Sequence, residues 1–313
     1  MNSLYNISIW FYVVAVYFAS LFNSKARLWV KGRKNQFRRL QQAIDSSPKP
    51  IIWFHSASLG EFEQGRPLLE KIKRTYPTYR ILLTFFSPSG YQVRKNYSGA
   101  DWVFYLPMDG PKNAKRFLDI VHPSLAIFVK YEFWYFYFQY LAQKNIPLFL
   151  ISGIFRKEQI FFKWYGGFYR NILGLFTRVL VQSKDDYNLI APIITNKKIF
   201  ITGDTRFDRV VQTAQDETPI SWMQLLSNHK NIIAGSTWRE DELLLSKTTA
   251  HFTQLNWIIV PHHVDIKNID ACKNIFPNAI SLSQLLEVGT PQTKPIVLII
   301  DSIGLLRILY KYA

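Results

Sequence analysis

The most informative segment of this chain is Trp53-Phe-His-Ser-Ala-Ser-Leu-Gly-Glu-Phe-Glu-Gln-Gly-Arg-Pro-Leu68. The apolar run at residues 51–54 predicts a buried strand, a turn of small residues follows it, and a helix is predicted from Glu61. In a wound α/β sheet, such a strand-to-helix turn faces the ligand crevice at the carboxyl ends of the strands. A carboxylate held there is placed to take a proton from an attacking hydroxyl. The alternative is that Glu61 only complements the dipole of its helix, as acidic residues in a first turn commonly do.

Length and composition set the outer limits. The chain has 313 residues, of which 48% are hydrophobic, so a sizeable core and roughly two domains are expected. Its single cysteine, Cys272, excludes a disulfide within the chain and fits a reducing compartment. The formal net charge of +16 suits a nucleic acid, an anionic membrane surface or a phosphorylated substrate, and composition does not choose among these.

The N-terminus favours a membrane. Residues 4–22 carry no charge, and their length of about 19 residues approaches the ~20 that a helix needs to cross a bilayer. A basic run from Lys25 to Arg39 follows, which the positive-inside rule places on the cytoplasmic side. A cleaved signal peptide fits less well, because its positive charge precedes the apolar run. We therefore expect residues 1–24 to be a membrane anchor, either a span or a helix lying in the interface.

Apolar runs alternate with helical patterns along the rest of the chain. Such alternation is typical of βαβ units with a parallel sheet, so the expected fold class is α/β with two tandem Rossmann-like domains and a ligand cleft between them. The predicted strands lie at residues 51–54, 81–86, 102–106, 125–129, 147–151, 179–182 and 199–202, and then at 232–234, 257–260, 279–282 and 296–300. The predicted helices lie at residues 61–75, 111–121, 134–144 and 184–190.

The domain boundaries follow from this pattern. We expect an N-terminal Rossmann-like domain on the acceptor side over residues 25–211, a linker over residues 212–230, and a partial C-terminal domain over residues 231–313. A doubly wound domain normally has about five or six strands, whereas the second domain shows only four apolar runs. We expect a fragment or a truncated gene product; the alternative is a naturally short lobe.

Charged residues follow one further predicted strand of the first domain. Lys130 and Glu132 come directly after the run at residues 125–129, again on the crevice side of the sheet. The alternative is a solvated ion pair in a loop.

Small polar residues follow the first predicted strand of the second domain. Ser236 or Thr237 can cap the next helix, and Glu240 stands at the capping-box position relative to Thr237. The N–H groups at a helix start can also bind phosphate, so both interpretations of this segment stay open.

Two other patterns point away from metals and nucleic acids. The adjacent His262 and His263 point in different directions on an extended chain, so they favour hydrogen bonding near a phosphate over a metal site. The aromatic and basic segments at residues 133–140 and 161–169 could stack single-stranded bases, but a membrane-facing surface or a plain core explains them better.

Nine short motifs, in order along the chain, resemble those of the 3-deoxy-D-manno-octulosonic acid (Kdo) transferases, which attach Kdo to a lipid A precursor. They are Phe54-His-Ser-Ala-Ser-Leu-Gly-Glu-Phe-Glu63, Thr84-Phe-Phe-Ser-Pro-Ser-Gly-Tyr91, Val103-Phe-Tyr-Leu-Pro-Met-Asp109, Lys130-Tyr-Glu-Phe-Trp134, Gly153-Ile-Phe-Arg156, Gly203-Asp-Thr-Arg-Phe-Asp208, Gly235-Ser-Thr237, Pro261-His-His263 and Asp301-Ser-Ile-Gly-Leu-Leu306. The resemblance implies the GT-B type of glycosyltransferase, with two Rossmann-like domains and an N-terminal membrane anchor. The family continues beyond residues 301–306 to a glycine-rich segment, before which this chain ends.

The resemblance also implies a reaction and its residues. It implies inverting transfer of Kdo from CMP-Kdo to a lipid A precursor at the cytoplasmic face of a bacterial inner membrane, with no metal, other cofactor or nucleic acid, and with Glu61 as catalytic base. The implied substrate-binding residues are Ser58, Gly60, Lys130, Glu132 and Arg156. The implied nucleotide-binding residues are Gly235, Ser236, Thr237, His262, Asp301 and Gly304.

Two alternatives from other classes stay open. One is a different sugar-nucleotide enzyme of the same architecture, such as an epimerase or another glycosyltransferase, because a fold does not determine a function. The other is a membrane-associated binder of anionic polymers, which only the net charge supports.

Overall fold

Two parallel sheets organise the chain. The computed structural model describes residues 2–44, 49–130, 132–214, 219–226, 229–289 and 294–313. They divide into two units, Met1–Asp208 and Arg209–Ala313, and each unit contains one sheet. The expected α/β fold class is confirmed, and every predicted strand is present with no end shifted by more than three residues.

Seven strands of the described chain form the first sheet: β1 (Ile51–Ser56), β2 (Arg80–Phe85), β3 (Trp102–Tyr105), β4 (Pro123–Val129), β5 (Leu148–Gly153), β6 (Arg178–Val181) and β7 (Ile199–Ile201). All neighbours pair in parallel, in the order β3-β2-β1-β4-β5-β6-β7. The winding direction reverses between β1 and β4. Open α/β sheets bind ligands at such a switch point, outside the carboxyl ends of the strands.

Helices cover both faces of this sheet. In chain order, the helices of this part of the chain are α1 (Asn2–Ala19), α2 (Ser24–Arg33), α3 (Gln36–Ile44), α4 (Leu59–Thr75), α5 (Pro88–Arg94), α6 (Pro111–Val121), α7 (Tyr135–Gln143), α8 (Gly167–Gly174), α9 (Lys184–Ile190) and α10 (Thr205–Ala214). Every residue of β1 is buried, which explains why this strand reads as a continuous apolar run. A Cβ at Gly65 of α4 would lie 2.8 Å from the side chains of Phe54 and Val129, so this glycine lets α4 approach the sheet.

The apolar N-terminal stretch forms two helices. α1 ends at Ala19, and the Asn23 side chain caps α2 by accepting the N–H groups of Lys25 and Ala26 at 2.9 and 3.1 Å. One helix over residues 4–22 is therefore not formed, because this cap starts a second helix. Among the described residues, no single helix is long and apolar enough to cross a bilayer, and the segments Ser3–Ala19 and Ser24–Arg33 meet that test only as a pair bent by 118°.

One side of α1 packs on the first unit. The Tyr5 hydroxyl donates a 2.7 Å hydrogen bond to Asp109, and the Tyr5 ring lies 5.9 Å from Phe136 and 5.5 Å from Phe168. The other side is a set of exposed apolar residues, here called the outer face of α1: Leu4, Ile7, Phe11, Val14 and Phe18, continued by Leu21 and Phe22. α1 therefore packs on the first unit with one side and exposes apolar residues on the other.

The second unit has four strands in its described part: β8 (Asn231–Thr237), β9 (Asn256–Pro261), β10 (Ile280–Ser281) and β11 (Val297–Ile299), in the order β10-β11-β9-β8. Its helices are α11 (Arg239–His251), α12 (Ile266–Ile275), α13 (Leu282–Val288) and α14 (Leu306–Leu309). Within the predicted linker, residues 212–214 complete α10 and Ser221–Leu225 form a 3-10 helix, whereas residues 215–218 and 227–228 lie outside the described residues.

Candidate active site

The switch point brings together the residues that follow β1 and β4. Glu61 stands in the first turn of α4, directly after β1, and Lys130 and Glu132 follow β4. Because β1 and β4 are paired in parallel, these residues share one edge of the sheet. The structure thus confirms that these residues follow the carboxyl ends of two paired strands.

The start of α4 holds the Glu61 side chain. Ser58 is the N-cap residue and has an extended backbone; its hydroxyl donates to the Glu61 carboxylate, and its carbonyl accepts the Phe62 N–H at 3.1 Å. Gly60 is exposed between them. The Ser58 hydroxyl occupies only one of the acceptor sites of the carboxylate, so Glu61 keeps the capacity to accept a proton.

Lys130 is held in a left-handed backbone conformation with φ of 59°, and its N–H donates to the Ile151 carbonyl at 3.0 Å. Burial and the positive charge of Arg206 lower the pKa of the Lys130 ammonium, while the negative charges of Glu61 and Asp204 act in the opposite direction. Lys130 therefore sits within electrostatic reach of the candidate base.

A segment after β7 completes this part of the site. Asp204 forms a 2.6 Å ion pair with Arg206 and accepts a 3.1 Å hydrogen bond from the Gln64 amide of α4. The Thr205 hydroxyl donates to the Gln64 carbonyl at 2.6 Å. Burial raises the pKa of Asp204, but the hydrogen bonds and charge of Arg206, with the charge of Lys130, lower it overall. The sequence shows this motif at residues 203–208 but does not indicate a role for Asp204 or Arg206.

Glu132 faces a buried histidine of β1. His55 is fully buried, and its Nε2 lies 3.8 Å from the Glu132 carboxylate. The Thr84 hydroxyl oxygen lies 2.8 Å from His55 Nδ1 and accepts a 2.8 Å hydrogen bond from Trp53 Nε1. The Thr84 hydroxyl therefore bridges the Trp53 indole and the His55 ring, while the second ring nitrogen of His55 faces Glu132. No local sequence pattern indicates the contact between His55 and Glu132, because the residues of this network lie in or directly after three different strands.

Several buried polar atoms at this edge have no hydrogen-bond partner among the described residues. They are His55 Nε2, Ser56 Oγ, Gln64 Oε1, Glu132 Oε2 and Trp134 Nε1. Buried polar groups are almost always satisfied in folded proteins. Such a concentration of unsatisfied groups beside a switch point fits a site for a hydroxyl-rich ligand.

Arg156 lies apart from this cluster. It follows β5 in an exposed loop, where its N–H donates to Gln159 at 3.0 Å. Its side chain lines a cavity walled by Phe133, Phe161 and Tyr169. In the part of the chain that the structure describes, Arg156 forms no hydrogen bond or ion pair with Glu61 or Glu132.

In the second unit, Ser236 and His262 meet at the carboxyl ends of β8 and β9. The Ser236 hydroxyl lies 2.7 Å from His262 Nδ1, and Ser236 has a positive φ of 59°. The His262 ring stacks on Trp238 at 4.5 Å. These polar groups form a small cluster at the edge where a Rossmann-like sheet binds its ligand.

The predicted capping by Ser236 or Thr237 is wrong. β8 runs through Thr237, so α11 begins only at Arg239, and the Trp238 N–H donates to Asp241 at 2.9 Å. The Thr237 hydroxyl instead donates to the buried Glu242 at 3.0 Å. Because the strand is longer than predicted, the N-cap residue of α11 is Trp238, one residue beyond Thr237. The acidic partner of the N-cap residue is therefore Asp241 and not Glu240.

The other predicted nucleotide-binding residues have different surroundings. A Cβ at Gly235 would lie 2.1 Å from the Tyr310 hydroxyl, so this glycine admits the C-terminal helical turn against β8. Asp301 follows β11 and accepts the Ser283 N–H at the start of α13 at 3.3 Å. Gly304 has a φ of 97°, which favours glycine.

Comparisons with known proteins show the family and the fold of this chain. Relatives named 3-deoxy-D-manno-octulosonic acid transferase include one from Haemophilus influenzae, 27% identical over 72% of this chain and 55% of its own length, and one from Aquifex aeolicus, 27% identical over 84% and 67%. The chain thus spans about half the length of the first of these. A UDP-GlcNAc 2-epimerase from Neisseria meningitidis shares the fold, with a TM-score of 0.55 and 14% identity over 84% of this chain and 74% of that one. The family model described as 3-Deoxy-D-manno-octulosonic-acid transferase (kdotransferase) matches residues 31–209, and the chain belongs to that family.

Proposed function

We propose that this protein transfers Kdo from CMP-Kdo to a phosphorylated glycolipid acceptor, a lipid A precursor, in lipopolysaccharide synthesis. The observation that carries the proposal is the position of Glu61 at the switch point, bonded to Ser58 and within the field of Lys130. Membership of the family supports the type of reaction.

In the proposed reaction, the Glu61 carboxylate takes the proton of an acceptor hydroxyl. The hydroxyl oxygen attacks the anomeric carbon of Kdo, and the bond to the phosphate of CMP breaks with its electron pair leaving on that phosphate. Attack opposite the leaving group inverts the anomeric centre. The only co-substrate in this scheme is the sugar nucleotide.

The residues around Glu61 have separate tasks in this scheme. Ser58 fixes the carboxylate, and Lys130 supplies positive charge toward the anionic substrates. Glu132, which lies beside the buried His55 ring, offers an acceptor for substrate hydroxyls. Gly60 leaves the turn uncovered, and Arg156 lies in an exposed loop after β5, where it can meet an anionic group of a substrate.

The proposal assigns CMP to the second unit. The support is the cluster of Ser236 and His262 at the carboxyl ends of β8 and β9. Gly235 and Thr237 flank Ser236 in β8. Asp301 and Gly304 follow the neighbouring β11, which lies beside β9 in the sheet.

We place the protein at the cytoplasmic face of the bacterial inner membrane, attached through its N-terminal helices. The outer face of α1 is apolar, and the chain is strongly basic. Near anionic lipid, basic residues each contribute roughly 1 kcal/mol to binding. An acceptor embedded in that membrane would then be presented to the site without leaving the bilayer.

The test is the transfer of Kdo from CMP-Kdo to a lipid A precursor by wild-type protein and by Glu61→Gln. Loss of the base is expected to lower kcat by ~10²–10⁴-fold, with the fold unchanged. Glu63→Gln is the matched control, because Glu63 stands on the same helix but pairs with Arg94 and Arg66. Wild-type turnover by Glu61→Gln would remove this residue from the proposed role, whereas absence of transfer by every form would contradict the proposed function.

A further inference from the structure

A second cavity opens in the first unit, between α1, the junction of α2 with α3, and the start of α6. Its volume is about 690 Å³. One wall is apolar and comes from α1, with Ile9, Trp10, Val13 and Tyr17. Another wall is cationic, with Arg33, Arg38, Lys112 and Arg116. No step of the proposed transfer uses these side chains.

The cationic side chains at the rim lack acidic partners. Among the described residues, no carboxylate lies within ion-pair distance of Arg38, Lys112 or Arg116. The Arg116 guanidinium stacks over Phe37 at 4.7 Å, which holds it at the rim. Asp109 is the carboxylate of the wall, and its oxygens already accept the Tyr5 hydroxyl and two N–H groups of α7. The cavity therefore presents excess positive charge.

The start of α6 adds to this charge. Within this 11-residue helix, which is fully described, the Gly110 N-cap provides no side-chain hydrogen bond and the first turn holds no acidic residue. The N–H groups of a first turn carry partial positive charge and bind phosphate readily. Lys112 and Asn113, in the first turn of α6, both line the cavity.

Two buried polar groups in the wall identify the kind of ligand. Trp29 is 6% exposed and Gln36 is 9% exposed; both line the cavity, and within the described chain Trp29 Nε1 and Gln36 Oε1 have no hydrogen-bond partner. Indole only donates, whereas the amide oxygen only accepts. A bare anion would satisfy Trp29 but not Gln36. A head group with both phosphate and hydroxyl would satisfy both.

We propose that this cavity binds the head group of a phosphate-bearing lipid that also carries hydroxyl groups. The phosphate lies against Lys112, Arg116 and the start of α6. A head-group hydroxyl donates to Gln36, and the first methylenes of the lipid run along the apolar wall of α1. A bilayer phospholipid such as phosphatidylglycerol and a phosphorylated glycolipid share this chemistry.

The experiment measures binding of dihexanoyl phosphatidylglycerol, below its micellar concentration, to the full chain by calorimetry. The double variant Lys112→Glu/Arg116→Glu is expected to bind at least about tenfold more weakly, because it loses two charge-assisted contacts. Lys115→Glu is the matched control, since Lys115 stands on the same helix, does not line the cavity and pairs with Asp119. The mutated side chains are exposed, so melting temperatures are expected to match, and Lys112→Gln/Arg116→Gln provides a second, neutral variant.

Three results would overturn the proposal. One is equal binding by wild type and both double variants. Another is an equal loss in Lys115→Glu, which would show a general charge effect. The third is that inorganic phosphate binds as tightly as the lipid, which would leave an anion site without a lipid.

Kinetics of the transfer reaction then distinguish the two lipids, the glycolipid acceptor and a bilayer phospholipid. A raised KM for the glycolipid acceptor in the Lys112/Arg116 variants would identify the acceptor as the ligand. An unchanged KM with lost phosphatidylglycerol binding would identify a bilayer lipid. Because the binding measurement needs no turnover, it can succeed even if the proposed transfer reaction fails.

Discussion

At the scale of single residues, the site depends on hydrogen bonds that join strands distant in the chain. The Thr84 hydroxyl serves both Trp53 and His55, and His55 in turn faces Glu132. The apolar run of β1 predicted the strand, but it could not predict which buried polar side chains pair across the sheet. The sequence therefore indicated the carboxylates of this site but not the polar contacts between its residues.

Thr84→Val keeps the shape of the side chain but removes the oxygen that Trp53 and His55 share. Two buried groups lose their partner, and each such loss costs ~1–3 kcal/mol. We expect chemical denaturation to show a free energy of unfolding lower by about 2–4 kcal/mol. Thr202→Val is the control, because Thr202 is exposed and its hydroxyl makes only a 3.5 Å contact with Val181. An unchanged free energy of unfolding in Thr84→Val would contradict the assigned network.

Asp109 links stability to pH. Burial raises its pKa from 3.8 to about 6, although hydrogen bonds from Tyr5, Phe136 and Tyr137 partly oppose this. Between these two values the folded state keeps a proton that the unfolded state loses, so this group makes folding less favourable as pH rises. The shift of about two units corresponds to about 3 kcal/mol.

The measurement compares wild type with Asp109→Asn, which cannot ionise, in denaturation experiments from pH 4 to pH 7. The free energy of unfolding of wild type relative to the variant is expected to fall by about 2.5 kcal/mol over this window and then to level off. The difference between the two proteins cancels the titration of all other groups. A difference that stays constant with pH would show that Asp109 titrates at its ordinary value.

At the scale of elements, the sequence predicted the strands better than the helices. The strands of both sheets read as continuous apolar runs because helices cover their faces, as in β1 and β9. α2 and α3 were missed because their basic residues were interpreted as a flank of the membrane anchor. The break between α1 and α2 depends on the Asn23 cap, a signal of one residue within an apolar stretch.

The docking of α1 depends on Tyr5. Tyr5→Phe removes the 2.7 Å hydrogen bond to Asp109, a charge-assisted contact worth ~1.5–3 kcal/mol. We expect the amides of α1 to exchange with deuterium about tenfold faster or more, while those of β1 keep their protection. Tyr17→Phe is the matched control on the same helix, because Tyr17 is exposed and lies near its end. Equal exchange in both variants would mean that the ring packing of Tyr5 alone holds the helix.

At the scale of the whole molecule, charge and apolar surface act together. In the proposed membrane attachment, the net charge of +16 would attract the chain to anionic lipid over a distance of about a Debye length, ~8 Å at physiological salt. Only the outer face of α1 offers a continuous apolar surface next to the basic run of α2 within the described N-terminal helices. We therefore expect the attraction of the protein to the membrane to depend on salt concentration. Its retention at the membrane is expected to depend on the aromatic residues of α1.

The double variant Phe11→Ser/Phe18→Ser tests these separate contributions of charge and apolar surface. Both rings are exposed, and the docked side of α1 is unchanged. Each phenyl group that enters the bilayer interface contributes up to ~1.5–3 kcal/mol, so sedimentation with vesicles containing phosphatidylglycerol is expected to fall roughly tenfold or more at high salt. At low salt, the basic surface should keep part of the protein bound. Ile266→Ser is the control, since Ile266 is also exposed but belongs to α12 of the second unit. If the double variant sediments like wild type at high salt, the outer face of α1 does not enter the membrane, and the attachment must come from another surface.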